Sequence, residues 1–145
     1  MSRYIRWFEE IGHQDVGSVG GKTSSLGEMY RNLTKDGIRV PNGFAVTADA
    51  YRYFIDQGGL TGEIKTLLTG FSTDDVEELS RRGAKVRDLI LHTEVPEDLQ
   101  EDILKAYAQF PTDGDNPRDV AVRSSATAED LPDASFAGQQ DTFLN

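Results

Sequence analysis

The chain contains 145 residues, of which 37% are hydrophobic and 28% are charged, with no cysteine and a formal net charge of −10. This composition predicts one soluble, globular domain, and the acidic balance argues against a general nucleic-acid binder, which needs a basic face. The absence of cysteine excludes disulfides and cysteine-based zinc sites. We expect a cytoplasmic protein with no membrane partner, because no apolar run approaches the roughly 18 residues of a membrane span and acidic residues interrupt the N-terminal segment before a signal sequence could form.

The first predicted elements surround a glycine-rich turn. Aromatic and β-branched residues at positions 4–8 predict a strand, and the segment GSVGG at 17–21 then leads into Lys22. Apolar side chains recur at helical spacing after the turn, with a glycine as the expected end of the helix: Leu26, Met29, Tyr30, Leu33 and then Gly37. Because a helix start carries unpaired N–H groups and partial positive charge, Gly20, Gly21 and Lys22 form a candidate anion site.

This turn has two other interpretations. A P-loop of the Walker type needs four residues between its first glycine and the Gly-Lys pair, whereas here only three residues separate Gly17 from Gly21, so the spacing rejects it. A tight turn that caps a helix and binds nothing is the second interpretation. The residues alone leave that second interpretation open.

The middle of the chain is expected to be architectural. A strand is predicted over 40–46 and helices over 48–57, 60–69 and 73–92. Thr47 is placed to cap the first of these helices, Gly58 to end it, and Pro96 to occupy the first turn of a fourth. Carboxylates at 74–78 are interpreted as favourable charge at a helix start, with a metal site as the alternative.

The last quarter of the chain contains the second candidate site. A β-branched run at 120–122 predicts a strand that presents Arg123 at its end, and a loop follows that begins with Ser124 and Ser125. A guanidinium fixed beside hydroxyl groups can hold a phosphate through two parallel hydrogen bonds, which lysine cannot do. The alternative is a surface arginine in a turn, and spacing alone does not decide between the two.

Three segments, in this order along the chain, resemble the nucleotide-binding region of the phosphoenolpyruvate synthase family of dikinases. They are VGGKTSSLGEM at 19–29, VPNGFAVT at 40–47 and AVRSSATAEDLPDASFAGQ at 121–139. The resemblance implies a mixed α/β fold, namely the N-terminal lobe of an ATP-grasp-like domain, with residues 1–145 as a truncated part of that domain. Thr23 and Ser24 depart from the family pattern, in which Asn-Ala or Gly-Ala commonly follows the lysine.

The resemblance also implies a function. Members of the family convert ATP, pyruvate and water into AMP, phosphoenolpyruvate and phosphate through a phosphohistidine on a separate domain. Neither His13 nor His92 has the sequence context of that histidine, so no catalytic residue is expected in this chain, which alone should be inactive. Magnesium ligands are expected in residues beyond Asn145. ATP phosphates are expected to bind at the two candidate sites together: Lys22, Arg123, Gly20, Gly21, Ser124 and Ser125.

Two alternatives remain beside this interpretation. One is a non-catalytic nucleotide-binding or regulatory module that has kept the fold, which a natural stop codon after Asn145 would favour. The other is the same lobe from rifampin phosphotransferase or pyruvate phosphate dikinase, since the phosphoryl acceptor cannot be determined from this lobe. Only the pattern at 126–139 favours pyruvate.

Two further expectations concern the C-terminal region. Few large apolar side chains anchor residues 124–138, so this loop is predicted to be mobile without nucleotide. Residues 139–145 alternate like a strand and are predicted to leave an exposed edge through which the chain self-associates. The net charge opposes such association, which should therefore strengthen with salt.

Overall fold

Residues 3–72, 74–111, 119–128 and 142–144 are described by the computed structural model, which has a mixed α/β fold as predicted. The strands form two-stranded antiparallel sheets, β1 with β2 and β3 with β4. Among these residues no helix has the length and apolar character needed to cross a bilayer. The strands are β1 Ile5–Trp7, β2 Phe44–Val46, β3 Ala121–Arg123 and β4 Thr142–Leu144, and the helices are α1 Val16–Val19, α2 Gly21–Leu33, α3 Ala48–Gln57, α4 Leu60–Leu67, α5 Val76–Leu91 and α6 Glu97–Tyr107.

Side-chain caps set the start of two helices, α3 and α5. The Thr47 side chain accepts a hydrogen bond from the Ala50 N–H at 3.4 Å, which confirms the predicted start of α3. The Asp75 side chain caps α5 by accepting a hydrogen bond from the Glu78 N–H, so this helix begins at Val76 and not at residue 73. The strand predicted over 40–46 is shorter, because only Phe44–Val46 pairs with β1.

Helix α2 buries a stripe of small residues, while part of its predicted apolar face is exposed. Gly21, Ser24 and Gly27 are its buried residues, whereas Met29 is 41% exposed. A Cβ atom at position 27 would lie only 2.7 Å from both the Cβ and the carbonyl oxygen of Ile11. The Ser24 hydroxyl donates to the carbonyl of Gly12 at 2.8 Å. Small side chains therefore let the backbone of α2 approach the segment before α1.

An ion pair holds the segment before α1 against the first sheet. Arg6 in β1 donates to an Asp15 carboxylate oxygen at 2.7 Å, and the Gly12 N–H donates to the other oxygen at 2.8 Å. The Arg6 hydrogen bond outweighs burial and keeps the pKa of Asp15 below its usual value. These contacts fix the approach to α1 and hence the position of the glycine turn.

Two hydrophobic clusters support this arrangement. One contains Ile11, Val19 and Ala45, and its Val19 directly precedes the glycine turn at Gly20. Aromatic rings extend the packing on β1 and β2, where Trp7 lies 5.4 Å from Phe44, measured between ring centroids. The second cluster joins helices α3, α4 and α6: Ala50, Phe54, Leu60 and Leu99.

Candidate functional site

The loop after β3 contacts the start of α2. The Ser125 hydroxyl accepts a hydrogen bond from the Thr23 N–H at 3.2 Å and lies 2.8 Å from the carbonyl oxygen of Val19. The Gly21 N–H donates to the carbonyl oxygen of Ala126 at 3.3 Å. The contact joins residues that lie 102 positions apart in the chain. It brings the two candidate sites of the sequence together at one junction.

Gly20 occupies the bend between α1 and α2. Its φ of 83° and ψ of 159° lie in a region that only glycine adopts without strain. A Cβ atom here would overlap the Ser125 hydroxyl, and it would lie 2.8 Å from the Ser125 carbonyl carbon and 2.9 Å from the Ala126 oxygen. Glycine is thus required at this position by the backbone conformation and by the closeness of the loop.

The two candidate phosphate-binding cations flank this contact. Lys22 is half-buried in the first turn of α2, directly before Thr23. Arg123 is exposed at the end of β3, where it pairs in register with Thr142, and it lies two positions before Ser125. In the part of the chain that the structure describes, no carboxylate pairs with the Arg123 guanidinium. Ser124 is exposed between Arg123 and the contact.

The helix start differs in one respect from the anion site predicted from sequence. Two N–H groups of the first turn, those of Gly21 and Thr23, are already bonded to the loop. These bonds connect Ser125 and Ala126 to α2 through polar groups, in a loop to which the sequence gives few large apolar side chains. The mobility predicted for residues 124–138, of which 129–138 lie outside the described residues, stays a prediction.

The described contacts of the two histidines are with residues outside this junction. His92 forms a surface pair with Asp88 at 3.2 Å, in which both side chains are about three-quarters exposed. The backbone N–H of His13 donates to a carboxylate oxygen of Glu28, and this bond holds the pKa of Glu28 below its usual value. Within the described ranges no three acidic, histidine or cysteine side chains are arranged to hold a metal ion.

The chain is similar to proteins of one family along its whole length. The model of the pyruvate phosphate dikinase AMP/ATP-binding domain matches residues 16–145, which contain the complete candidate site. Phosphoenolpyruvate synthases from Synechocystis, Escherichia coli and Pseudomonas aeruginosa are 54%, 51% and 50% identical over 97%, 99% and 100% of this chain. In each case the matched region is 18% of the relative, so the chain spans less than a fifth of their length.

Proposed function

Since this chain belongs to the pyruvate phosphate dikinase AMP/ATP-binding domain family, we propose that it is the phosphate-gripping part of the ATP-binding domain of a phosphoenolpyruvate synthase. Identity of about half its residues to proteins of that name supports the choice of pyruvate as acceptor. The full protein would convert ATP, pyruvate and water into AMP, phosphoenolpyruvate and phosphate in the cytoplasm. Its phosphohistidine, its pyruvate site and the second lobe of an ATP-grasp-like clamp would lie outside residues 1–145.

One observation carries the assignment of the site: the loop that begins at Arg123 rests on the start of the helix that carries Lys22. This contact supports a shared phosphate site for Lys22 and Arg123 in a molecule whose net charge is −10. Arg123 supplies a planar fork for two phosphate oxygens, and Lys22 supplies a compact charge. The other residues of the candidate site are Gly20, Gly21, Ser124 and Ser125, of which Gly20, Gly21 and Ser125 form the junction itself. The magnesium ion that accompanies ATP would take its protein ligands from residues outside this chain.

Titration calorimetry with Mg-ATP tests the site directly. We expect weak binding by the 145-residue chain, because it would form only one side of the nucleotide site. Lys22→Ala and Arg123→Ala should each weaken binding about tenfold or more, since a hydrogen bond to a charged group contributes roughly 1.5–3 kcal/mol. Arg123→Lys should not restore it, because lysine lacks the fork.

The matched control for this titration is Lys35→Ala, which removes an exposed cation two residues beyond the C-terminal end of α2. This variant should bind Mg-ATP as the unaltered chain does. Binding that survives the combined Lys22→Ala and Arg123→Ala change would remove both residues from the site.

We also propose that the sheet of β3 and β4 mediates self-association. Its large apolar side chains are exposed to solvent: Val122 is 61%, Phe143 66% and Leu144 79% exposed. Within the described residues this sheet contains only these two strands. Val122 and Phe143 lie opposite each other on one face and Leu144 lies on the other, and exposed apolar side chains beside a strand edge favour pairing with a second copy.

Sedimentation at low and high salt should show association that increases with protein concentration and with salt, because salt screens the repulsion between chains of charge −10. Phe143→Lys should reduce association, whereas Val76→Lys, at a 71% exposed position on α5, should not. A chain that stays monomeric at high concentration and high salt would refute the proposal.

A further inference from the structure

Ser125 has no proton left for a ligand. A serine hydroxyl has one O–H donor and two acceptor lone pairs. The Thr23 N–H can only donate and the Val19 carbonyl can only accept, so the hydroxyl must donate its single proton to Val19. Phosphate oxygens at neutral pH are chiefly acceptors, and in this arrangement Ser125 offers them no donor.

The same hydroxyl connects both sides of the bend at Gly20. Val19 is the last residue of α1, and Thr23 lies in the first turn of α2. One oxygen atom thus satisfies a carbonyl at the end of the first helix and an N–H at the start of the second. The Ala126 carbonyl adds a parallel bond to the Gly21 N–H. We call these three bonds the Ser125 clasp.

We infer that Ser125 is a positioning residue: the Ser125 clasp holds the backbone of Lys22 against the loop that follows Arg123, and the hydroxyl itself does not bind phosphate. This role deepens the proposed nucleotide-binding function and rests on it. Two side chains that bind one phosphate bind it more tightly when their spacing is already fixed without the ligand, because ordering a mobile segment on binding costs free energy. The clasp fixes the two backbones only one residue from Lys22 and two from Arg123.

Amide hydrogen exchange without nucleotide tests the clasp itself. In Ser125→Ala the Thr23 N–H loses its partner, so its exchange should accelerate about fivefold, as expected for the loss of one net hydrogen bond. Ser125→Thr, which keeps a hydroxyl, should retain protection. Ser25→Ala, which removes an exposed hydroxyl from the same helix, should leave Thr23 exchange unchanged. Unchanged Thr23 exchange in Ser125→Ala would overturn the clasp.

Mg-ATP titration of the same variants tests the positioning role. We expect affinity to fall about fivefold in Ser125→Ala and to return in Ser125→Thr, in parallel with Thr23 protection. Weaker binding in Ser125→Ala with normal Thr23 exchange would identify Ser125 as a direct ligand and overturn the inference. Faster Thr23 exchange with unchanged affinity would also overturn it. If the unaltered chain does not bind Mg-ATP, the proposed function fails and the positioning role with it, while Thr23 exchange still decides whether the clasp exists.

Discussion

Gly20→Ala is expected to destabilise the protein by about 3 kcal/mol, because backbone strain and steric overlap add at this position. The φ of 83° and ψ of 159° cost any other residue roughly 1–3 kcal/mol. The new methyl group would also lie against Ser125 and against the Ala126 carbonyl oxygen, 2.9 Å away. This overlap can be removed only if the loop moves away from α2, and that movement breaks the Ser125 clasp. Urea unfolding followed by the fluorescence of Trp7, the single tryptophan, measures the change.

Two other glycines separate the causes of this effect. Gly37 also has positive φ, at 80°, but no atom lies within 4 Å of its added Cβ, so Gly37→Ala should show the backbone cost alone, about 1 kcal/mol. Gly17 in α1 has open space as well, and Gly17→Ala should be neutral or stabilise by up to ~1 kcal/mol. If Gly20→Ala costs no more than Gly37→Ala, the loop does not rest on Gly20.

Coupling with Ser125 provides an internal check on this explanation. Both Gly20→Ala and Ser125→Ala break the same contact, so their effects on the free energy of unfolding should not add. The double variant should be less destabilised than the sum of the single variants. Full additivity would mean that alanine at position 20 leaves the clasp intact.

The elements that sequence predicted well depend on signals a few residues apart. Thr47 caps α3 because its side chain reaches the N–H of Ala50, three positions away. A 3-10 turn, Thr34–Asp36, follows α2, and Gly37 ends this turn in the left-handed conformation that a helix end favours. The predicted start of α5 lies three residues too early, because hydrophobic periodicity alone does not locate the cap that the Asp75 side chain provides to the Glu78 N–H.

Contacts between distant segments could not be predicted in this way. Hydrophobic periodicity identified α2 correctly, but it gives no weight to Gly21, Ser24 and Gly27, which form the most deeply buried stripe. These residues matter because they are small enough for Ile11 to pack closely against the helix, and the sequence does not show that Ile11 lies there. Likewise, sequence identified Ser125 as a candidate phosphate ligand, while its hydrogen-bond partners lie more than 100 positions away.

Gly27→Ala is the second substitution with a large expected effect, although alanine is the better helix former. The added methyl carbon would lie 2.7 Å from the Cβ and from the carbonyl oxygen of Ile11, which is fully buried. Neither atom is the end of a flexible side chain, so α2 must move away from the segment before α1. Overpacking of this kind costs about 1–3 kcal/mol, which outweighs the gain in helix propensity of up to ~1 kcal/mol.

Gly62→Ala in α4 is the matched control, because it makes the same change inside a helix where nothing lies within 4 Å. It should stabilise the protein by about 0.5–1 kcal/mol, so the two substitutions should shift the urea midpoint in opposite directions. Stabilisation by both would contradict the close packing of α2 against Ile11. Displacement of α2 in Gly27→Ala should also strain the Ser125 clasp, so faster exchange of the Thr23 N–H is expected in this variant and not in Gly62→Ala.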